Sequence, residues 1–425
     1  MTRQTLSRRQ LLAAAGMGAA GLGAAGLLGG GAINAIGAFP TFEPAPTATP
    51  NTSPAQIGPY DVNRLILGED MGTQALEQPI PSSVLNLNYF ECIDGQAQNV
   101  PVPPSRVNAA VYYPVWRAPG AHVTDHRVPT PNPLNLTLGP YPILLYAHGF
   151  RSSGVACIVP SPINRDFTTI DFMLRHVASY GVVCVAPNLS WVRAAIGGNP
   201  ALNYSETGAY GIRAKVLMFY WLYLANQLNT SLFAQQLDLS RLILAGHSTG
   251  AGGATLAGRE LSKIVSFSSI AYGLVAPVSQ TTIPLNSAEV RNLLVLGGTL
   301  DTLQGANPQD AYTTAATPKT LVTIPGANHF GYTDLCDGDN VCQPNGVNDP
   351  AGTISRADQQ LAGAAYLAAL ARYYARGDKT ARPYLTGERA VGGLEALSIQ
   401  VQQEGYRLPQ PIGTLKVPTF EPVDP

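Results

Sequence analysis

Leu242-Ile243-Leu244-Ala245-Gly246-His247-Ser248-Thr249-Gly250 is the stretch on which the reading of this chain turns. Its first four residues are a short apolar run of the kind that makes a central strand covered on both faces. From Thr249 onward small residues, Gly250-Ala251-Gly252-Gly253-Ala254, open a helix. Between strand and helix stands a Gly-x-Ser-x-Gly turn, so tight that the positions flanking the serine need minimal side chains. The turn lifts Ser248 clear of the sheet and sets it at a helix N-terminus, where the dipole favours negative charge. The five-residue pattern alone recurs by chance; the strand before it and the helix after it give it weight.

Outward from this turn, strand and helix patterns alternate. Arg106 to Trp116 is rich in β-branched and aromatic residues and reads as a strand, followed by a Pro/Asn/Gly-rich connector to Pro140. Tyr141-Pro-Ile-Leu-Leu-Tyr-Ala147 is a second central-strand run. The pattern then predicts a helix over Asp166–Ser179, a strand at Val182–Ala186, a helix over Ala209–Gln227, the strand Arg241–Ala245 and the helix from Thr249. Further strands are expected at Ile264–Ala271, Asn292–Leu296 and Leu321–Ile324, and a long Ala-rich helix over Thr353–Arg376. This alternation is the signature of an α/β fold, a parallel sheet with helical crossovers. Beyond Gly377 the pattern weakens, and the tail from Arg407 to Pro425 is Pro-rich.

Only 12% of the 425 residues are charged, and 26 basic against 27 acidic residues give a net charge of −1. That leaves no electrostatic footprint for nucleic acid or an anionic membrane, so the expected partner is a neutral or weakly polar molecule. Ser7-Arg8-Arg9-Gln10-Leu11-Leu12, ahead of a Gly/Ala-rich apolar stretch, reads as a twin-arginine export signal over residues 1–38, with Ala35 and Gly37 as the small residues of a cleavage site. So many glycines, at about 1 kcal/mol each, argue against a stable buried helix there. Residues 39–57, rich in Pro, Thr and Ala, read as a linker, 58–376 as the catalytic domain, and 377–425 as an extension packing on it. Elsewhere the longest apolar run, Val216 to Ala225, falls short of the roughly 20 residues that span a bilayer, so the mature chain is expected to be secreted or periplasmic with no membrane span.

Five cysteines in an exported chain leave one unpaired, and Cys184, in the apolar run Gly181–Pro187, is the candidate. Cys336 and Cys342 bracket a short Asp/Gly/Asn loop and are expected to form a local disulfide. Cys92 and Cys157 remain as a weaker pair by elimination.

A serine hydroxyl is a poor nucleophile without an adjacent base. Of six histidines, His329 lies in Pro325-Gly-Ala-Asn-His-Phe330, a loop just after the last of the sheet-strand patterns. His122 and His126 fall in the connector and His176 in a helix, and each reads as a surface or satisfied polar residue. His247 is expected to point away from the serine and pack beside the turn. The base in turn needs an acid that fixes its tautomer and stabilises the imidazolium. Asp301 follows the strand Leu293–Leu296 and gives the chain order Ser248, Asp301, His329; Asp334, close to His329 in sequence, competes and reads better as a loop residue. His148-Gly149-Phe150, at the end of a central strand, is placed to offer the Phe150 backbone N–H to an oxyanion, and the Thr249 N–H would supply the second donor. The loop Asp334–Asp349, with Asp337, Asp339, Asn340, Asn345 and Asn348, carries oxygen atoms that suit calcium but lacks EF-hand spacing and reads as a solvated loop. No His/Cys/carboxylate cluster has catalytic zinc spacing, and no cofactor or metal is expected.

Gly58-Pro-Tyr60, a strand ending in Tyr113-Pro114, His148-Gly149-Phe150, Gly246–Gly250, Asp301 and His329 together resemble the platelet-activating-factor acetylhydrolase, cutinase-like polyester hydrolase and chlorophyllase group of α/β-hydrolases. The resemblance runs from about Gly58 to Arg376. It implies an α/β-hydrolase fold with a mostly parallel eight-stranded sheet and helices on both faces. It also implies metal-independent hydrolysis of a small-molecule or polymeric ester through an acyl-enzyme. The chain departs from that group in the Arg117–Leu138 connector, in the Cys-flanked loop after His329 and in its tail. The same residues on the same fold also serve peptidases, acyltransferases and cofactor-free haloperoxidases, and a non-catalytic exported binding protein is the alternative from another class.

Overall fold

Side chains alternate across a strand, so a run that is apolar at every position can sit only between two layers. Tyr141–Ala147 does so: Ile143 and Leu145 enter one core and Leu144 and Tyr146 the other, all four fully buried. The computed structural model describes residues 53–67, 88–93, 96–101, 108–115, 139–149, 166–196, 202, 205–229, 233, 235–263, 269–278, 290–334 and 349–406. Among these the strands are β1 (Asp61–Leu67), β2 (Asn88–Ile93), β3 (Gln96–Pro101), β4 (Ala109–Val115), β5 (Tyr141–Ala147), β6 (Val183–Pro187), β7 (Leu237–His247), β8 (Ser269–Val275), β9 (Leu293–Gly298), β10 (Lys319–Ile324) and β11 (Gln400–Glu404). The α-helices are α1 (Asp171–Ala178), α2 (Val192–Ala195), α3 (Ala209–Tyr223), α4 (Thr249–Ser262), α5 (Asn307–Thr314), α6 (Arg356–Leu370) and α7 (Arg382–Leu385).

Nine strands form one sheet in the order β1-β4-β6-β5-β7-β8-β9-β10-β11, and β2 with β3 makes a separate ribbon. The block from β6 to β10 is parallel; β4 at one side and β11 at the other run against it, and β1 pairs antiparallel with β4. Helices α3, α4 and α5 cover one face and α1, α6 and α7 the other. Among the described residues no helix is long and apolar enough to cross a membrane.

The expected eight-stranded sheet is present with a ninth strand added by the C-terminal extension, which packs on the domain and carries the sheet past Arg376. Val391, Leu394 and Tyr406 lie in the core and the Tyr406 hydroxyl is 2.7 Å from Thr320 Oγ1, so residues 377–406 are part of the fold. The sequence pattern is weak there because β11 is an edge strand reading Gln-Val-Gln-Gln-Glu, four of its five positions exposed, and polar edges of this kind resist unwanted pairing. The N-terminal boundary also shifts. Residues 53–56 are docked: His176 Nε2 donates to Pro54 O at 2.6 Å, Tyr180 Oη donates to Gln56 O at 2.5 Å, and Gly392 N–H donates to Ser53 Oγ at 3.0 Å. Where a strand is expected at Ile264–Ala271 the described strand spans Ser269–Val275, running past Ala271, and residues 264–268 lie outside the described residues. Cys184 is buried and free, and burial pushes its thiol pKa well up. Residues 1–38, the connector with His122 and His126, Cys157, Cys336, Cys342 and the chain beyond 406 lie outside the described residues.

Candidate active site

Ser248 stands between β7 and α4 with φ 57° and ψ −127°. A non-glycine residue held there stores on the order of 1–3 kcal/mol of backbone strain, which persists only where the surroundings over-determine it. The surroundings do so through backbone alone: Ser248 N–H donates to Val275 O at the end of β8, and Ala251 N–H donates to Ser248 O, each at 3.0 Å. A Cβ on Gly250 would collide with the Ala147 carbonyl oxygen, and one on Gly149 would lie 2.8 Å from Ser248 Cβ. Both glycines are therefore required by close approach of the β5 end to the turn. Thr249 opens α4, so its N–H belongs to the helix-end donors that have no intrahelical partner. Phe150 lies outside the described residues.

His329 follows β10 and heads the short 3-10 turn Phe330–Tyr332. Asp301 follows β9, and its Oδ2 is 2.7 Å from His329 Nδ1 with both side chains buried. Asp301 Oδ1 accepts the Leu303 and Gln304 N–H groups at 2.9 Å each, so the carboxylate is fixed before it meets the imidazole. With Nδ1–H donated to the carboxylate, the neutral ring presents Nε2 as its acceptor. Asp334, the rival, is on the surface, paired with Arg356 at 3.2 Å and Gln360 at 2.8 Å. The structure thus brings Asp301 and His329 together and leaves Asp334 apart. Among the described residues no hydrogen bond joins Ser248 Oγ to His329.

His247 packs beside the turn and against His329. Its ring packs on that of His329 with centroids 4.7 Å apart, and its Nε2–H donates to the His329 carbonyl at 2.9 Å. Burial, reinforced by neighbouring His329, drives its pKa well below the ordinary value, so it stays neutral. His148 accepts the Leu189 N–H at Nε2 (2.9 Å) and so donates Nδ1–H to Gly149 O (2.8 Å), bracing the turn after β5. Arg213 of α3 is fully buried and donates Nε to His148 O at 3.3 Å; burial lowers its pKa to about 9.

Sequence reasoning missed the grip on the His329 loop. Gln359 of α6 takes the Asn328 N–H at 3.2 Å and donates to the Asn328 carbonyl at 2.6 Å, while Asn328 Oδ1 accepts the Gly331 N–H at 2.9 Å. Asp349 accepts the His329 and Phe330 N–H groups, each at 3.1 Å. Of the acidic loop read for calcium, only Asp334 and Asp349 are described, and Asp349 is buried with both oxygens turned on this backbone. Among the described residues no group of three or more His, Cys, Asp or Glu is arranged to hold a metal ion.

Sheet order, crossover helices and a strained serine turn after the central strand give the chain an α/β-hydrolase fold. Residues 122–282 match the chlorophyllase family, which is of α/β-hydrolase type. The matched stretch includes Ser248 and ends before Asp301 and His329. No curated protein sequence matches the chain.

Proposed function

We propose that this α/β-hydrolase is an exported serine esterase that cleaves neutral carboxylic esters through an acyl-enzyme. The observation that carries the reading is the buried 2.7 Å contact of Asp301 with His329, following in chain order a serine held in a strained strand-to-helix turn. In this mechanism Ser248 Oγ attacks the ester carbonyl carbon while its proton passes to His329 Nε2, and Asp301 stabilises the imidazolium. The Thr249 N–H at the start of α4 and the Phe150 N–H serve the oxyanion; one such donor contributed about 2.7–4 kcal/mol in another enzyme. The alcohol leaves with the proton from His329. Water, activated by the same nitrogen, then attacks the acyl carbon and frees Ser248 and the acid.

The match to an α/β-hydrolase family supports hydrolysis, and the near-zero net charge fits a neutral substrate. The Tat-type leader supports export, and a Cys336–Cys342 disulfide would hold the loop that ends at Asp349; its short span limits the entropic gain to about 3 kcal/mol or less. Nitrophenyl esters of graded acyl length, with a fluorophosphonate probe, test the reading. Short to medium chains should turn over in chelator, and the probe should modify Ser248. Turnover that survives Ser248→Ala would remove the mechanism.

A further inference from the structure

Both backbone polar groups of His329 are held by buried ionisable side chains. His247 Nε2–H donates to its carbonyl, and Asp349 Oδ1 accepts its N–H at 3.1 Å while Oδ2 accepts that of Phe330 at the same distance. A carboxylate only 2% exposed that accepts two backbone amides is an expensive way to satisfy two backbone donors, since an uncharged side chain or water does so without burying charge. Burial does raise the Asp349 pKa, partly opposed by the two amides and by His329. Among the described residues the titratable groups facing His329 are Asp301 on its ring, Asp349 on its backbone and the neutral His247 on its flank, with Tyr332 beside Asp301.

We propose that Asp349 is a positioning residue for His329, fixing the base through its backbone and adding a second negative charge that favours the imidazolium. The inference rests on the reading of His329 as the base. Asp301 meets the ring and sets its tautomer, whereas Asp349 sets where the ring stands. Asparagine at 349 offers one acceptor where two are needed and removes the charge; glutamate keeps the charge with a longer arm.

The test compares wild type, Asp349→Asn, Asp349→Glu, Asp301→Asn and the Asp349→Asn/Asp301→Asn double variant, each at a temperature where melting shows it folded. Asp349→Asn should lower kcat for a nitrophenyl ester about tenfold to a hundredfold with KM within about threefold, the scale of a small misplacement of a catalytic group. The acid limb of its kcat/KM profile should move down by about half a pH unit, because a negative neighbour of His329 is gone. Asp349→Glu should restore the limb. In the double variant the kcat losses should be less than additive, since both act through one imidazole. A folded Asp349→Asn protein with wild-type kcat and limb, or a kcat loss with an unmoved limb and full additivity, overturns the proposal. Ser248→Ala run in parallel separates the two failures: if it abolishes turnover while the Asp349 variants are silent, only the positioning role falls, and if it does not, the esterase reading falls first.

Discussion

The turn that carries Ser248 and the loop that carries His329 are held in opposite ways. At Ser248 the restraint is backbone on backbone: a φ of 57°, hydrogen bonds to Val275 and from Ala251, and glycines at 149 and 250 where the chain passes too close for a Cβ. At His329 the restraint is side chain on backbone, from Asp349, Gln359, Asn328 and His247, with Asp301 on the ring. A restraint built from adjacent residues is compact and intolerant of added volume. One built from residues dispersed over a hundred positions can be loosened one hydrogen bond at a time, so losses there should be graded.

The largest effect expected is at the turn. Ser248→Ala should remove turnover, by on the order of 10⁶ in kcat on the scale seen for a serine protease nucleophile, with little change in melting temperature. On the other side, Asp301→Asn should present the wrong hydrogen-bond pattern to His329 Nδ1 and cost about 10²–10⁴ in kcat, while Asp334→Asn stays within about tenfold. Should Asp334→Asn be crippled and Asp301→Asn nearly intact, the acid has been misassigned although Ser248 and His329 would stand. Gly250→Ala tests the intolerance of the turn. Its methyl would meet the Ala147 carbonyl oxygen, which is backbone in a central strand, so destabilisation near or above about 3 kcal/mol is expected by thermal melting. A melting temperature within a degree of wild type would break the contrast between the two regions.

The smallest effect is a pH dependence on the His329 side. Burial holds the His247 pKa below its ordinary 6.5, so the folded state binds fewer protons than the unfolded chain at acid pH. Its contribution to stability is therefore present above about pH 6.5 and is lost as pH falls below that, by about 1 kcal/mol over the first unit. His176, also buried and shifted down, acts in the same direction. Denaturant melts at pH 5.5 and 7.5 should show a smaller difference for His247→Gln than for wild type; equal differences would mean that His247 titrates normally.

Most of the sheet could be read from the chain because its strands are continuous apolar runs between glycine-rich turns, as in Tyr141–Ala147 and Leu242–Ala245. What escaped was polar. The strand Gln400–Glu404 has no core-facing stripe strong enough to announce itself, and its place depends on pairing with β10. Ser53 to Gln56 read as linker because docking there uses carbonyl oxygens, which every sequence possesses.

For the site, the sequence by itself determined the serine turn and the chain order of Ser248, Asp301 and His329. The turn is a local steric problem that admits few solutions, and glycine spacing records it. Only the tertiary structure set Asp301 against the His329 ring and left Asp334 apart, because one stands at the end of β9 and the other in an exposed loop. It alone turned His247 onto His329 and made Asp349 a ligand of backbone amides. Hydrogen bonds between residues remote in sequence leave no periodicity behind, so these partners became visible only once the C-terminal ends of β7, β9 and β10 and the helix α6 were brought together.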